Sequence, residues 1–341
     1  MAKQPPVLRL QPGKARRCVV RVAAGPRLGY GHLMRARALA QHLAMRVSLS
    51  VRGGRAAARA ARSMGLELTR DQASLDGADL LVVDDPSLKH GRPWIARARR
   101  VGVPSVSVHD CVPAHDADLV ICGSVGVNEI RSAGTVLSGP QFYLLDRRIR
   151  TALRNRWMRT TEKPMSVLVA LGGGQHIRRV AQPLVSAIRR YNPDVSIAVA
   201  AGFSRGPRPI LKGARWLSAR TGLTQALVDC DVAIVAGGVT LYEACALGTP
   251  AVAIAVVPPQ RRAIAEFASR GAVVDAGLVS AGRASDVAIE RAAKDVAGLL
   301  GDERRRRITA TRARRLVDGL GARRAAEHIR AMLDRGAHRV A

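Results

Sequence analysis

The chain has 341 residues, 48% of them apolar, and a formal net charge of +29. This length exceeds what one hydrophobic core usually supports, so we expect two domains. No window approaches 18 uninterrupted apolar residues, and residues 1–14 hold no apolar stretch typical of a signal peptide, so we expect no membrane-spanning helix and a cytoplasmic location.

The basic charge comes almost entirely from arginine, which accounts for 49 of the 55 basic residues. This proportion indicates a chain-wide preference for arginine. Only 3% of the residues are aromatic, so few side chains could stack on bases. Both features argue against nucleic acid as a partner. The positive field would still attract an anionic metabolite, and it leaves peripheral contact with an acidic membrane surface open.

Short apolar runs alternate with helical stretches along both halves of the chain. The strands expected in the first half are Cys18–Ala24, Val47–Val51, Leu80–Asp84, Ser105–His109 and Leu119–Cys122. After a polar, basic stretch near residues 146–164, strands are expected at Ser166–Leu171, Val195–Ala200, Val232–Ala236, Ala251–Val256 and Ala272–Val274, followed by a helical tail. This order predicts an α/β protein with two Rossmann-like, doubly wound domains, residues 1–150 and 151–341, and a ligand cleft between them at the carboxyl ends of their strands.

The turn after the first strand reads G-Y-G-H-L-M-R over residues 29–35. Gly31 lets a ligand approach the backbone, and His32 falls at the N-terminus of the first helix. The positive end of the helix dipole disfavours an imidazolium, so a neutral ring there could act as a general base toward water. Arg35 projects from the same helix face and could bind an anion or position a carboxylate. The alternative is that His32 only caps the helix.

Acidic side chains follow the third and fourth strands. Asp85 precedes a proline, which favours a capping or turn role. Asp110 lies in a connection that also holds His109, His115 and Asp118, and it is the stronger site candidate. The spacing of this cluster matches no compact ligand motif, and the five scattered cysteines include no C-x-x-C pair. We therefore predict no bound metal.

A glycine-rich loop at Gly172, Gly173 and Gly174 follows the first strand of the second half. It lacks the Lys-Ser/Thr ending of a nucleoside triphosphate loop, and it lacks the pattern G-x-G-x-x-G. We therefore expect neither ATP hydrolysis nor a dinucleotide cofactor. Further along, Gln260 opens a helix, where its side chain could reach a ligand or face water.

A second turn of this kind lies within D-V-A-I-V-A-G-G-V-T-L-Y-E-A-C-A-L-G-T-P over residues 231–250. A buried strand leads through Gly237 and Gly238 into a helix that begins near Val239 and Thr240. Such a turn leaves unpaired backbone N–H groups where a phosphate can bind. Glu243, one turn into the helix, could accept hydrogen bonds from a ribose diol. The alternative is an ordinary strand-to-helix turn with a surface glutamate.

Together with V-D-D-P at 83–86, V-H-D at 108–110 and L-G-G-G at 171–174, these motifs carry a family resemblance over about residues 18–280. The chain resembles the UDP-sugar hydrolases of pseudaminic acid synthesis and their relatives in spore-coat and flagellar glycan synthesis. Those proteins are similar in fold to the GT-B glycosyltransferases. The resemblance implies two Rossmann-like domains and hydrolysis of a UDP-linked amino-deoxy sugar of the 2,4-diacetamido-2,4,6-trideoxy-altrose type. The products would be UDP and a free sugar for nonulosonic acid and surface glycan synthesis, with no cofactor.

The resemblance also implies roles for particular residues. His32 would activate water for attack at the anomeric carbon, with Arg35, Asp85 and Asp110 orienting the sugar or His32. The turn at 237–240 would hold the pyrophosphate, Glu243 the ribose, and Gln260 the sugar.

Two departures from the family pattern accompany these roles. Pro259-Gln260 stands where relatives usually have Asn-Gln, and Gln175-His176 stands where they often have Ser/Thr-Asp after two glycines. Two alternatives stay open. One is a glycosyltransferase in which an acceptor hydroxyl replaces water. The other is a non-catalytic nucleotide-sugar-binding protein.

Overall fold

The computed structural model describes residues 15–26, 28–69, 75–110, 116–127, 130–157, 165–172, 177–202, 208–218, 222–279 and 283–338. The chain divides into two compact units. The first comprises the chain up to Gly25, His32–Asp146 and the chain from Leu320 onward, and the second comprises Pro26–Gly31 and Arg147–Gly319. Within the described ranges, no helix combines the length and apolar character needed to cross a bilayer.

The first unit is a parallel sheet with helices. Its strands are β1 (Arg17–Ala23), β2 (Arg46–Arg52), β3 (Leu80–Asp84), β4 (Ser105–His109), β5 (Leu119–Cys122) and β6 (Thr135–Ser138). Its helices are α1 (Gly31–Ala40), α2 (Gly54–Ser63), α3 (Leu88–Arg100) and the C-terminal α11 (Gly321–His338). The strand order is β2-β1-β3-β4-β5-β6. All residues of β3, β4 and β5 are buried, as in a parallel sheet covered on both faces.

The second unit repeats this plan. Its strands are β7 (Ser166–Ala170), β8 (Ser196–Ala200), β9 (Arg215–Leu217), β10 (Val232–Val235), β11 (Ala251–Ala255) and β12 (Val274–Leu278). Its helices are α4 (Arg148–Trp157), α5 (Ile177–Tyr191), α6 (Thr224–Asp229), α7 (Val239–Leu247), α8 (Gln260–Ser269), α9 (Arg283–Gly301) and α10 (Glu303–Leu316). The strands are parallel in the order β12-β11-β10-β7-β8-β9. The predicted α/β class with two Rossmann-like domains is confirmed.

Each sheet has one topological switch point, where the strand order continues in opposite directions from two neighbouring strands. In the first sheet this place lies between β1 and β3, and in the second between β7 and β10. Loops that leave neighbouring strands there in opposite directions open a crevice at the carboxyl ends, where ligands of such sheets bind. The turn before His32 follows β1, and the Gly237–Gly238 turn follows β10. Both candidate motifs therefore lie at the position that the topology favours.

The edge strands β6 and β9 were not predicted from the sequence. Both are short and only partly buried, with the patterns T-V-L-S and R-W-L, so neither forms a long apolar run. The polar stretch expected as a linker near residues 146–164 contains α4, which carries four arginines in ten residues.

The C-terminal helix α11 belongs to the first unit, although its position in the sequence led us to expect it in the second domain. Gly321 packs so closely on the 3-10 turn Pro140–Phe142 and Tyr143 that a Cβ atom would overlap their backbone. Arg324 Nη1 donates to the carbonyl of Gln141 at 2.9 Å. These contacts are long-range, and helical periodicity carries no information about them.

Candidate functional site

A cluster of two basic and two acidic side chains forms at the carboxyl ends of β1, β3 and β4. His32 and Arg35 lie three residues apart on α1, so they project from the same helix face. Asp84 is the last residue of β3, and its Cα atom pairs with that of Val22 on the parallel strand β1. Asp110 follows directly after β4. The adjacent parallel strands thus bring both acids to the start of α1.

Asp84 holds both basic side chains. Nδ1 of His32 lies 2.7 Å from Oδ1 of Asp84. Arg35 donates to the same carboxylate twice, from Nε to Oδ2 at 3.0 Å and from Nη2 to Oδ1 at 2.6 Å. Burial by itself would raise the pKa of Asp84, but the charges of Arg35 and His32 and their hydrogen bonds outweigh it and lower this pKa to about 2. Asp84 is therefore a carboxylate near neutral pH.

Arg35 is a buried cation with 3% relative exposure. Its Nη1 also forms an ion pair with Asp110. Burial disfavours the guanidinium, but Asp110 and Asp84 together raise the pKa of Arg35 well above its usual value. A bidentate guanidinium between two acids stays charged and holds Asp84 rigidly.

The contacts of His32 select one tautomer of its ring. Nδ1 lies near a carboxylate oxygen of Asp84 and also 2.8 Å from Nη2 of Arg35. Nη2 of Arg35 can only donate and by itself would favour an unprotonated Nδ1, but it already donates to Oδ1 of Asp84 at 2.6 Å. An unprotonated Nδ1 would place a lone pair against that anionic oxygen, so we assign the proton to Nδ1, which donates it to Asp84. Nε2 then carries the free lone pair, and within the described ranges no hydrogen bond to it is seen. The imidazole side chain is 12% exposed, so an outside group has access to it.

The charges of the cluster suit proton uptake. With a neutral His32, two carboxylates surround the single cation Arg35. A proton taken up by Nε2 brings the four side chains to electrical balance, and Asp84 stabilises the imidazolium that forms. The arrangement can therefore serve as a general base whose orientation is set by a buried acid.

Asp85 does not make the contact with His32 that we considered for it. Its carboxylate accepts from Arg52 Nε at 2.7 Å and Nη2 at 2.6 Å, and from the backbone N–H of Ser87 at 2.9 Å. Burial raises its pKa, but Arg52 and the Ser87 N–H outweigh this and lower it. This is the turn role that Pro86 suggested. Successive residues at a strand end point to opposite faces, so only one of Asp84 and Asp85 could face α1, and the sequence does not say which.

The second cluster lies at the start of α7 in the second unit. The N-cap residue Gly238 has no side chain to accept from the first turn. The N–H of Gly238 itself donates to the carbonyl of Ala236 at 2.8 Å, so it is not one of the free donors that we expected across 237–240. No partner for the backbone N–H groups of Val239 and Thr240 is seen within the described ranges, and both residues are partly exposed. These amides can bind an anion.

Gln260 lies beside this turn. A Cβ atom on Gly237 would approach the Cβ of Gln260 to 2.8 Å and the side chain of Ile264 to 3.1 Å, so only glycine fits there. Oε1 of Gln260 accepts from the backbone N–H of Val256 at 2.9 Å. This bond fixes the side chain and leaves its Nε2 as a donor.

Glu243 is buried, with 4% relative exposure, in the run Leu241–Leu247 that is buried throughout. The alternative of a surface glutamate is therefore wrong. A buried carboxylate requires a partner, and Glu243 is not without one in this structure.

The remaining predicted residues are distributed as follows. Gly172 lies two residues after the end of β7 and has a φ of +91°, a conformation that favours glycine. Gly173 and Gly174 lie outside the described residues, as does His115. Among the residues that the structure describes, no group of His, Cys, Asp and Glu side chains has an arrangement that could hold a metal ion.

The chain is similar to known proteins in part of its sequence and in its fold. No protein-family model matches it. The spore coat polysaccharide biosynthesis protein SpsG of Bacillus subtilis (strain 168) is 26% identical over 176 residues, which are 48% of this chain and 51% of that protein. The match thus spans about half the length of this relative.

Two solved structures resemble nearly the whole chain. The glycosyltransferase SnogD from Streptomyces nogalater aligns with a TM-score of 0.62 and 17% identity, covering 94% of this chain and 100% of that one. MurG from Acinetobacter baumannii aligns with a TM-score of 0.61 and 14% identity, covering 92% and 99%. These likenesses show that the chain has the GT-B fold, with two Rossmann-like domains of six parallel strands each.

Proposed function

We propose that the protein is an enzyme that transfers a glycosyl group from a nucleotide-diphosphate sugar, with His32 as the general base. The observation that carries the proposal is the hydrogen bond between His32 Nδ1 and the buried Asp84, 2.7 Å long, which leaves Nε2 free to take a proton. Asp84 and Arg35 are positioning residues in this scheme. Asp110 fixes Arg35.

The chemistry is a displacement at the anomeric carbon. Nε2 of His32 removes the proton of an acceptor O–H group as its oxygen forms a bond to that carbon. The bond from the carbon to the diphosphate oxygen breaks, and its electron pair stays on the nucleotide diphosphate. Attack on the face opposite the leaving group inverts the anomeric configuration. General base catalysis of this kind contributes roughly 10²–10⁴-fold.

The second unit provides donors for the leaving group. We propose that the amides of Val239 and Thr240 and the positive end of α7 bind the diphosphate and stabilise the charge that develops on it. Nε2 of Gln260 is a further donor beside the same turn. Glu243, Gly172, Gly173 and Gly174 complete the proposed nucleotide site. Uridine is the expected base because these motifs resemble those of UDP-sugar enzymes.

Glycosyl transfer to an acceptor hydroxyl is the function that we favour. The structural relative SnogD is named as a glycosyltransferase, and its likeness extends over nearly the whole chain. Hydrolysis of a UDP-linked amino-deoxy sugar is the second candidate. It is favoured by the G-Y-G-H-L-M-R motif at 29–35 and by the partial match to a spore coat polysaccharide biosynthesis protein.

One measurement distinguishes the glycosyltransferase from the hydrolase. The protein is incubated with UDP-N-acetylamino sugars, with and without a mixture of hydroxyl acceptors, and released UDP is quantified. Release that requires an acceptor supports the transferase, and release in its absence supports the hydrolase. Binding of the UDP-sugar without release in either mixture would contradict both and identify a non-catalytic binding protein.

His32→Ala tests the assigned base. This variant should lose roughly 10²–10⁴-fold in turnover and still bind UDP. His90→Ala is the matched control, because His90 is exposed and its ring bonds to the hydroxyl of Ser87. Equal turnover of the two variants would refute the role of His32.

A further inference from the structure

A second concave site lies in the first unit, on residues that the proposed reaction does not use. A cavity of about 490 Å³ lies between α2 and β2. Small-molecule sites typically occupy roughly 300–1,000 Å³, so this volume suits a small ligand. The cavity is bounded by three arginines of α2, by Val51 of β2 and by Leu68.

The three arginines form one wall. Arg55, Arg59 and Arg62 lie at spacings of four and three residues, so they share one face of α2. All three are exposed, and within the described ranges none makes a hydrogen bond or an ion pair through its side chain. The nearby Glu67 is bound by Arg46 at 3.0 Å. Among the described residues that line the cavity none is acidic, so the three positive charges of this wall repel one another.

The helix terminus adds to this field. Gly54, the first residue of α2, also lines the cavity, and the first turn contains no acidic residue. The N-cap residue Gly53 has no side chain that could accept from the first-turn amides. The positive end of the helix dipole therefore lies beside Arg55. Both features attract an anion to the same end of the cavity.

The rest of the lining is apolar and firmly held. Val51, Ala58 and Leu68 are partly buried. Leu68 is tied to the sheet, because it forms a bridge to Leu49 of β2 and its neighbours exchange backbone hydrogen bonds with Leu49. Inorganic phosphate would not cover this apolar surface, whereas a ligand with an apolar part would remove it from water. The lining that the structure describes contains no aromatic residue, which argues against a stacked base.

We propose that this cavity binds a small phosphorylated amphiphile, with the phosphate held by Arg55, Arg59 and the start of α2 and the apolar body packed on Val51, Ala58 and Leu68. Arginine forks match phosphate oxygens in pairs, and such charge-assisted hydrogen bonds are strong. This site goes beyond the proposed glycosyl transfer and does not depend on it.

Binding is measured by isothermal titration with octyl phosphate below its critical micelle concentration, in the presence of excess UDP to occupy the proposed nucleotide site. Octyl phosphate should bind at least about tenfold more tightly than inorganic phosphate or 1-octanol. Arg59→Ala should weaken octyl phosphate binding by about tenfold or more. Arg59→Lys keeps the charge but loses the paired donors of the guanidinium, so its affinity should lie between those of the wild type and Arg59→Ala.

Two further variants test the apolar lining and the effect of charge outside the cavity. Leu68→Ser should weaken octyl phosphate binding and leave phosphate binding unchanged. Arg304→Ala, which removes the same charge from an exposed position on α10, should leave both unchanged. The proposal is overturned if Arg59→Ala binds octyl phosphate like the wild type, or if Arg304→Ala weakens it equally. Arginine-dependent binding to anionic vesicles without binding of octyl phosphate would overturn it in favour of a membrane surface.

Discussion

Nδ1 of His32 and Oδ1 of Asp84 lie 2.7 Å apart, and they join the first turn of α1 to the last residue of β3. The two residues are 52 positions apart in the chain. Their contact converts a histidine that could merely cap a helix into one with a fixed tautomer and an oriented lone pair. Most of the testable consequences for activity follow from this pair.

Replacing Asp84 by asparagine should abolish the preference of the His32 ring for a proton on Nδ1. An asparagine can donate to that nitrogen, which would move the proton to Nε2 and remove the base. We expect turnover to fall by roughly 10²–10⁴-fold, a range in line with general base catalysis, while UDP binding persists. Asp85→Asn is the control, because Asp85 bonds to Arg52 and Ser87, and its turnover per folded molecule should fall by less than tenfold. Similar losses in both variants would contradict the assignment.

Asp84 should also make the stability of the first unit sensitive to acid. Its pKa is about 2 in the folded protein, against a usual value of 3.8. Because the folded pKa is lowered, the stabilisation is complete above the unfolded pKa and is lost as the pH falls from about 5 toward 2. The shift corresponds to about 2 kcal/mol. Urea unfolding at pH 7 and pH 3 should show about half of this loss, roughly 1 kcal/mol, in the wild type and a smaller loss in Asp84→Asn. Equal losses would refute it.

Gly237→Ala should destabilise the second unit. The added Cβ would lie 2.8 Å from the Cβ of Gln260, so the start of α8 must move. We expect a cost of about 1–3 kcal/mol in the free energy of unfolding, typical of overpacking. Gly238→Ala is matched to it in sequence and chemistry, but its Cβ would meet no atom within 4 Å. Chemical denaturation should therefore separate the two variants, and indistinguishable midpoints would disprove the packing argument.

Gly321→Ala tests the docking of α11 on the first unit. The new Cβ would overlap the backbone carbonyl oxygen of Tyr143, which cannot rotate away. A loss of about 1–3 kcal/mol in unfolding free energy is expected. The comparison is Gly301→Ala at the end of α9, where nothing lies within 4 Å of the Cβ position. Thermal unfolding that shifts equally in both variants would show that this close packing is unimportant.

Much of the fold could be predicted from local patterns. The bounds of β3, β4 and β5 match the predicted strands residue by residue. In β3 and β5 the signal is a nearly continuous apolar run, as expected for strands buried on both faces, whereas in β4 valines alternate with serines. The short edge strands β6 and β9 lack this signal, since partial burial places no strong demand on composition. The helix α4 was missed because its ten residues are predominantly polar and basic.

The candidate sites were predicted less completely. His32 and the Gly237–Gly238 turn could be found because glycines and a helix start after a strand form a local signature. Asp84 was passed over for Asp85, since a strand end carries two acids and only the sheet determines which face meets α1. The surface position considered for Glu243 was wrong, because α7 packs against α4, α6 and α10, which bury Leu241–Leu247.

By itself, the sequence determined the α/β class, the two parallel-sheet halves, and the turns that carry His32 and the paired glycines. These properties depend on residues close together in the chain, whose spacing reflects the period of a strand or a helix. Only the tertiary structure decided that Asp84 holds His32, that Arg35 is buried between two acids, and that α11 joins the first unit. Each of these depends on side chains from separate elements meeting at packing distance, and linear spacing does not encode such contacts.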